Sequence, residues 1–236
     1  MLAVLKKELR TYFTGIMGYV FLVLYLALGG AVFCYTTLFS MSASVTEFYT
    51  YMLIASAIIL PLLTMKSFSE ERKIKTEQLL LTAPVSLISL VAGKFLAAYA
   101  MFSSCMVLNS CYFFVLNQYA QLKFTVLFGN LVAILLVGMV FIAIGLFVSS
   151  LTENQLAAAI GTIAIIAAFL FIGLISSLLP SSYPLRYVFN FISIFTRFQG
   201  FVNGYFDIAS LFYYLTVAFV FLYLTVRVFD RRRYNG

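Results

Sequence analysis

The chain contains no histidine and no tryptophan, and charged residues make up only 10% of it. Without histidine it lacks the commonest general base and the commonest metal ligand. Its three cysteines, Cys34, Cys105 and Cys111, all lie in apolar stretches. An odd, scattered set of this kind offers neither a disulfide framework nor metal-ligand spacing, so they read as small packing residues. No pair of carboxylates is placed to act on a lipid substrate, and no cysteine–histidine set exists. Gly93-Lys94 lacks the upstream glycine and the following Ser or Thr of a phosphate loop. The chain alone is therefore expected not to be an enzyme, with no catalytic residue, no metal and no cofactor bound directly.

What fills the space is hydrocarbon. Hydrophobic residues make up 64% of the 236, against roughly 45–50% in soluble domains, and the mean hydropathy is +1.06. Runs of about 20 apolar residues match the thickness of a bilayer's hydrocarbon. Barrel strands would alternate apolar and polar, but residues 131–148 and 156–175 are apolar on all sides. Helices satisfy the backbone within lipid. The expected fold is an all-α membrane protein, a single transmembrane domain over residues 1–236. Spans are placed at about 16–39, 49–66, 89–116, 126–150, 155–179 and 209–228.

The net charge of +7 sits in short loops, where it is a topology signal rather than a nucleic-acid footprint. Lys6, Lys7 and Arg10 precede the first span; Lys66, Arg72, Lys73, Lys75 and Lys94 lie around the loop between the second and third; Arg227 and Arg231 to Arg233 close the chain. These twelve face only Lys123, Arg186 and Arg197 on the other side. Six spans and this asymmetry both predict cytoplasmic termini. The first apolar run is too long for a cleaved signal.

Before that run, Leu2, Leu5, Leu9, Tyr12, Phe13 and Ile16 recur at three- and four-residue steps. They define one stripe of an amphipathic helix over residues 1–15. It should lie flat on the inner face, with Lys6, Lys7 and Arg10 toward headgroups or a partner; the plainer alternative is an anchor only. The outer segment 180–208 is rich in Phe and Tyr. A seventh crossing there would put Arg197 near mid-membrane and the triple arginine outside. A pair of short re-entrant helices fits better.

No span carries an acidic residue, lysine or arginine near its centre, where an ion-coupled carrier needs one. Lys94, at the end of the third span, is expected to snorkel. Asn109, Asn130, Ser103, Ser104 and Ser110 are expected to bond between helices. A bundle with no buried ionisable group and no nucleotide site is expected, and energy should therefore enter at the inner loops. Residues 67–86 form a coupling loop (about 67–88), with Ser67 and Glu70 spaced as a capping box and Pro84 disfavouring helix before it. Its helix carries Leu79, Leu80 and Leu81, exposed leucines suited to a groove on a cytoplasmic partner, with Glu70, Glu71, Arg72, Lys73 and Glu77 as the polar rim. Packing on the membrane surface is the alternative.

This segment resembles the coupling-helix signature of the ABC-type-2 permeases, in particular the subgroup that includes the gliding-motility permease. The pattern runs two acidic/basic pairs, Gly-Thr, an acidic residue, leucines, Thr, any residue, Pro and Ser, and aligns without gaps to residues 70–86. The family's glycine is Lys75 here, and its glutamate position is Gln78, with Glu77 one residue earlier. Residues 150–155 resemble the family's second inner turn.

The resemblance implies the membrane-spanning permease subunit of an ABC exporter in a bacterial plasma membrane. A separate cytoplasmic ABC ATPase, in two copies, would bind ATP and Mg, and a second permease copy or a related permease would complete the transporter. Its coupling residues would be Glu70, Glu71, Arg72, Thr76, Glu77, Leu79 and Leu80 in the first loop, and Thr152, Glu153, Asn154 and Gln155 in the second. The rivals are a stand-alone secondary transporter or channel, and an ATPase-driven mechanical or assembly complex without a transported solute.

Overall fold

The computed structural model describes residues 2–42, 44–76, 86–119, 124–179, 184–202 and 207–235. The amphipathic segment forms α1 (Leu2–Thr14), broken at Gly15 from the first span, α2 (Ile16–Phe33), which ends in a π-helical turn, Cys34–Phe39. The chain folds back tightly here. A Cβ at Gly18 would stand 2.0 Å from the Tyr12 carbonyl oxygen, a space no side chain could share.

Helix α3 (Val45–Thr64) starts at Ser44, whose hydroxyl accepts from the Glu47 amide at 3.4 Å. It carries Pro61 internally, where the missing amide removes one helical hydrogen bond. At Met65, itself helical in φ and ψ, the chain passes almost directly into α4 (Lys66–Lys73). Helix α5 (Leu87–Leu116) begins at Ser86, which accepts from the Ser89 amide. Its 30 residues reach about 45 Å, more than the hydrocarbon needs. Helices α6 (Phe124–Leu151) and α7 (Gln155–Leu178) are separated only by residues 152–154, with Asn154 capping α7 by accepting from the Leu156 amide at 3.0 Å.

Two nine-residue helices, α8 (Pro184–Ile192) and α9 (Ile194–Val202), precede α10 (Ile208–Asn235). They pack back along the spans: Tyr214 donates to the Ile194 carbonyl at 2.9 Å, and Ser176 bonds Asn190. The Arg197 guanidinium lies between the rings of Phe191 and Tyr213, 5.0 and 4.4 Å from their centroids, a cation–π arrangement. Asp207 caps α10 through the Ala209 and Ser210 amides. The Ser210 hydroxyl, with those amides and Arg197, holds its carboxyl below the usual range.

Among the described residues six helical stretches are long and apolar enough to cross a membrane: Ile16–Phe39, Val45–Lys73, Leu87–Leu116, Phe124–Leu151, Gln155–Ser176 and Ile208–Arg233. The protein is a multi-pass, all-α membrane protein. Burial divides the six. The most apolar window of α6 is 72% buried, those of the α3 and α5 stretches 61%, and those of α2, α7 and α10 only 22%, 28% and 22%. Helix α6 is the hub, packed against α3, α4, α5, α7, α9 and α10. Polar contacts fix register inside: Tyr25 with Ser56 and Tyr49 with Ser110, each at 2.7 Å.

Candidate coupling site

One end of the bundle collects most of the chain's charge. At its centre is Lys94, about two turns beyond the start of α5, with a side chain only 3% exposed. Its ammonium donates to the Ser67 carbonyl at 2.7 Å and to Glu71 Oε1 at 2.7 Å, both in α4. Glu8 Oε1 of α1 lies 3.3 Å away, and the Phe68 ring centroid 5.0 Å away. One cation thus ties three helices. Gly93 makes the approach of α1 possible, since a Cβ there would stand 2.8 Å from Val4 Cγ1.

This corrects two expectations. Lys94 does not snorkel; α1 and α4 close over it and supply two carboxylates in place of water. The bundle also does contain a buried ionisable group, at its end rather than its centre. A charge so enclosed persists only with partners, and Lys94 has three oxygens.

A second knot joins α4 to the turn between α6 and α7. Arg72 donates through Nη1 to the Leu151 carbonyl at 2.8 Å and pairs through Nε with Glu153 Oε1 at 2.9 Å. Beneath it, Ser149 Oγ accepts from the amides of Phe68 and Ser69, both at 3.1 Å, and donates to the Met65 carbonyl at 3.1 Å. These two amides lie in the first turn of α4, so a side chain of α6 serves as its cap. The end of α10 closes the cluster: Arg232 Nη2 donates to the Ser150 carbonyl at 2.6 Å, and Phe229 packs on Phe68 at 4.8 Å between centroids.

The expected capping box at Ser67 and Glu70 does not form. Helix α4 starts at Lys66 without a side-chain cap of its own, because α3 runs into it and Ser149 takes the free amides. Helix α4 ends at Lys73, and the part of the expected helix that approaches Pro84 lies outside the described residues. The Ile74 and Lys75 amides close on the carbonyls of Glu70 and Arg72, and Lys75 has φ 59°, the left-handed region that favours glycine. That is the position where the resembled signature has glycine.

The structure brings together Glu71, Arg72 and Glu153. Thr76 donates to the Glu71 carbonyl at 3.2 Å, Thr152 donates weakly to the Asn154 carbonyl at 3.4 Å, and Gln155 opens α7. Glu70 lines a cavity beside α1 together with Glu71 and Thr76. Lys6, Lys7 and Arg10 are exposed on α1. Glu77, Leu79 and Leu80 lie outside the described residues. Sequence reasoning missed Glu8, Ser149, Phe68 and Phe229. Ser149 had one signal, its four-residue step from Gly145.

Of the polar residues expected to bond between helices, only Ser110 does so directly. Ser103, Ser104 and the Asn130 amide group bond carbonyls of their own helices. Asn109 is buried, and among the described residues neither of its side-chain polar atoms finds a hydrogen-bond partner; it is pressed against Gly29, where a Cβ would lie 2.1 Å from Asn109 Oδ1. Tyr49, not an asparagine, is the cross-helix partner.

Among the described residues no three acidic or cysteine side chains come together as a metal site. A family model described as ABC-2 family transporter protein matches residues 11–229. No curated protein matches the chain.

Proposed function

We propose a mechanism for a chain that belongs to the ABC-2 family of transporter proteins, and so is the membrane subunit of an ABC transporter. A separate cytoplasmic ATPase, in two copies that bind ATP and Mg, drives export by pushing on the charged end of the bundle. A second permease copy completes the pathway. On this reading the charged end, with both termini, faces the cytoplasm of a bacterial inner membrane, in keeping with the excess of basic residues there.

The observation that carries the reading is the union of α4 with the 152–154 turn through Arg72. Two segments far apart in sequence would receive a push as one body. Lys94 would then pass the displacement to α1 and α5, since it holds Glu71 and Glu8 at once. Packed elements move as units because interiors are dense and respond in discrete rearrangements. The ATPase supplies the energy; this chain contributes the lever and the pathway.

The test is association. The full-length chain, purified from its native membrane, should co-elute with a cytoplasmic ATPase. Leu79→Asp with Leu80→Asp should abolish co-elution while leaving membrane insertion intact, because two charges would enter an apolar groove. Retained binding would show that the partner grips elsewhere. Transport against a gradient by the chain alone, without ATP, would overturn the reading altogether.

A further inference from the structure

Between α1, the first turns of α2, the end of α3 and α4 lies a cavity of about 600 Å³, within the size range of small-molecule sites. Its walls differ in kind. On one side Met17, Val20 and Leu24 of α2 face Ile59 and Leu62 of α3. Val20, Leu24 and Leu62 are all more than 40% exposed, so this groove is apolar, unfilled by the chain and level with the spans. On the other side stand Lys7 of α1 with Lys66 and Glu70 of α4. The Lys94 knot lines the same wall through Glu8, Glu71 and Lys94, and its two carboxylates exceed its one cation by one charge. Among the described residues Lys7, Lys66 and Glu70 form no ion pair. Lys66 and Glu70 are thus unpaired at the polar rim, and Lys7 answers the excess carboxylate of the knot through the field it exerts on Glu71 rather than through a direct ion pair.

The geometry points to a binding site for a zwitterionic phospholipid of the adjacent leaflet. One acyl chain lies in the α2–α3 groove, the phosphate between Lys7 and Lys66, and the ammonium toward Glu70. An apolar groove open to the bilayer is filled by hydrocarbon rather than water. The rim carries both signs, and including Glu8, Glu71 and Lys94 its formal charges balance, which matches a phosphate–ammonium head better than a purely anionic one. The bound molecule bridges α1 and α4, the two helices that Lys94 ties at the wall of the same cavity. This goes beyond the proposed coupling and does not depend on it, because neither ATPase nor nucleotide is needed for binding.

The full-length chain is reconstituted in vesicles containing a trace of phosphatidylethanolamine with a photoreactive group in mid-chain, and the labelled peptides are identified by mass spectrometry. Labelling should concentrate several-fold in residues 16–24 and at Leu62 over α7 and α10, which are at least as open to lipid. Val20→Trp with Leu62→Trp should fill the groove and remove that excess. Lys7→Ser with Lys66→Ser leaves the apolar wall intact and should reduce it at least threefold, so the test survives if the tryptophan pair fails to fold. Unlabelled phosphatidylethanolamine should compete better than phosphatidylglycerol, and glycerophosphoethanolamine, which has no chains, should not compete. Even labelling of all exposed spans, an unchanged pattern in the serine variant, equal competition by phosphatidylglycerol, or displacement by the chainless headgroup would each overturn the assignment.

Discussion

Arg72 and Glu153 meet at 2.9 Å, and this pair binds the helix after the second span to the turn between the fourth and fifth. Their side chains are 30% and 62% exposed. A pair this open contributes only about 0.2–1 kcal/mol. Its importance therefore lies in alignment rather than stability.

Arg72→Glu should consequently leave the midpoint of thermal unfolding in detergent nearly unchanged, while reducing the ATPase activity that the assembled complex shows over the free ATPase. Adding Glu153→Arg should restore a large part of that activity. Failure of the double reversal to rescue would assign the loss to the Leu151 carbonyl bond instead.

Lys94 behaves differently because it is enclosed. Lys94→Met removes the cation and leaves Glu8 and Glu71 facing each other without it, which should cost about 3–5 kcal/mol. Combining it with Glu8→Gln and Glu71→Gln should recover most of that loss, read as the unfolding midpoint. A single variant as stable as the native chain would mean that the three helices hold together without the knot.

Lys75 occupies a conformation with φ 59° that disfavours side chains by roughly 1–2 kcal/mol. Lys75→Gly should raise stability by about 1 kcal/mol, provided the added freedom of the unfolded chain does not offset the relief. Chemical denaturation of the purified protein measures it, and a loss of stability would show that the lysine side chain makes a compensating contact.

Both ends of the chain reach the charged end of the bundle, α1 through Glu8 and α10 through Arg232. With Cys34, Cys105 and Cys111 replaced by alanine, cysteines introduced as Lys6→Cys and Arg231→Cys should react with an impermeant maleimide in inside-out vesicles and not in intact cells. Labelling of either site in intact cells would reverse the proposed orientation.

The six apolar stretches were legible in the sequence because crossing a bilayer is a local property: a window such as 131–148 contains everything that makes it a span. The two short helices before α10 were legible for a similar reason, since Arg197 and the triple arginine made a seventh crossing too costly. Amphipathicity likewise announced α1. Local pattern could not say what α1 would cover. The partner of Glu8 is Lys94, which becomes buried only when α1 and α4 fold over the same turn of α5.

The ends of helix α4 illustrate the other half. Ser67 and Glu70 carry the spacing of a cap, yet the cap is Ser149, from another span, because α3 already occupies the approach. Sequence by itself therefore determined the solvent of this protein, its helices and the segments where charge gathers. Only tertiary structure decided which charges meet. Hydropathy sums over neighbours in the chain, whereas an ion pair or a shared amide cap depends on groups that packing alone brings within 3 or 4 Å.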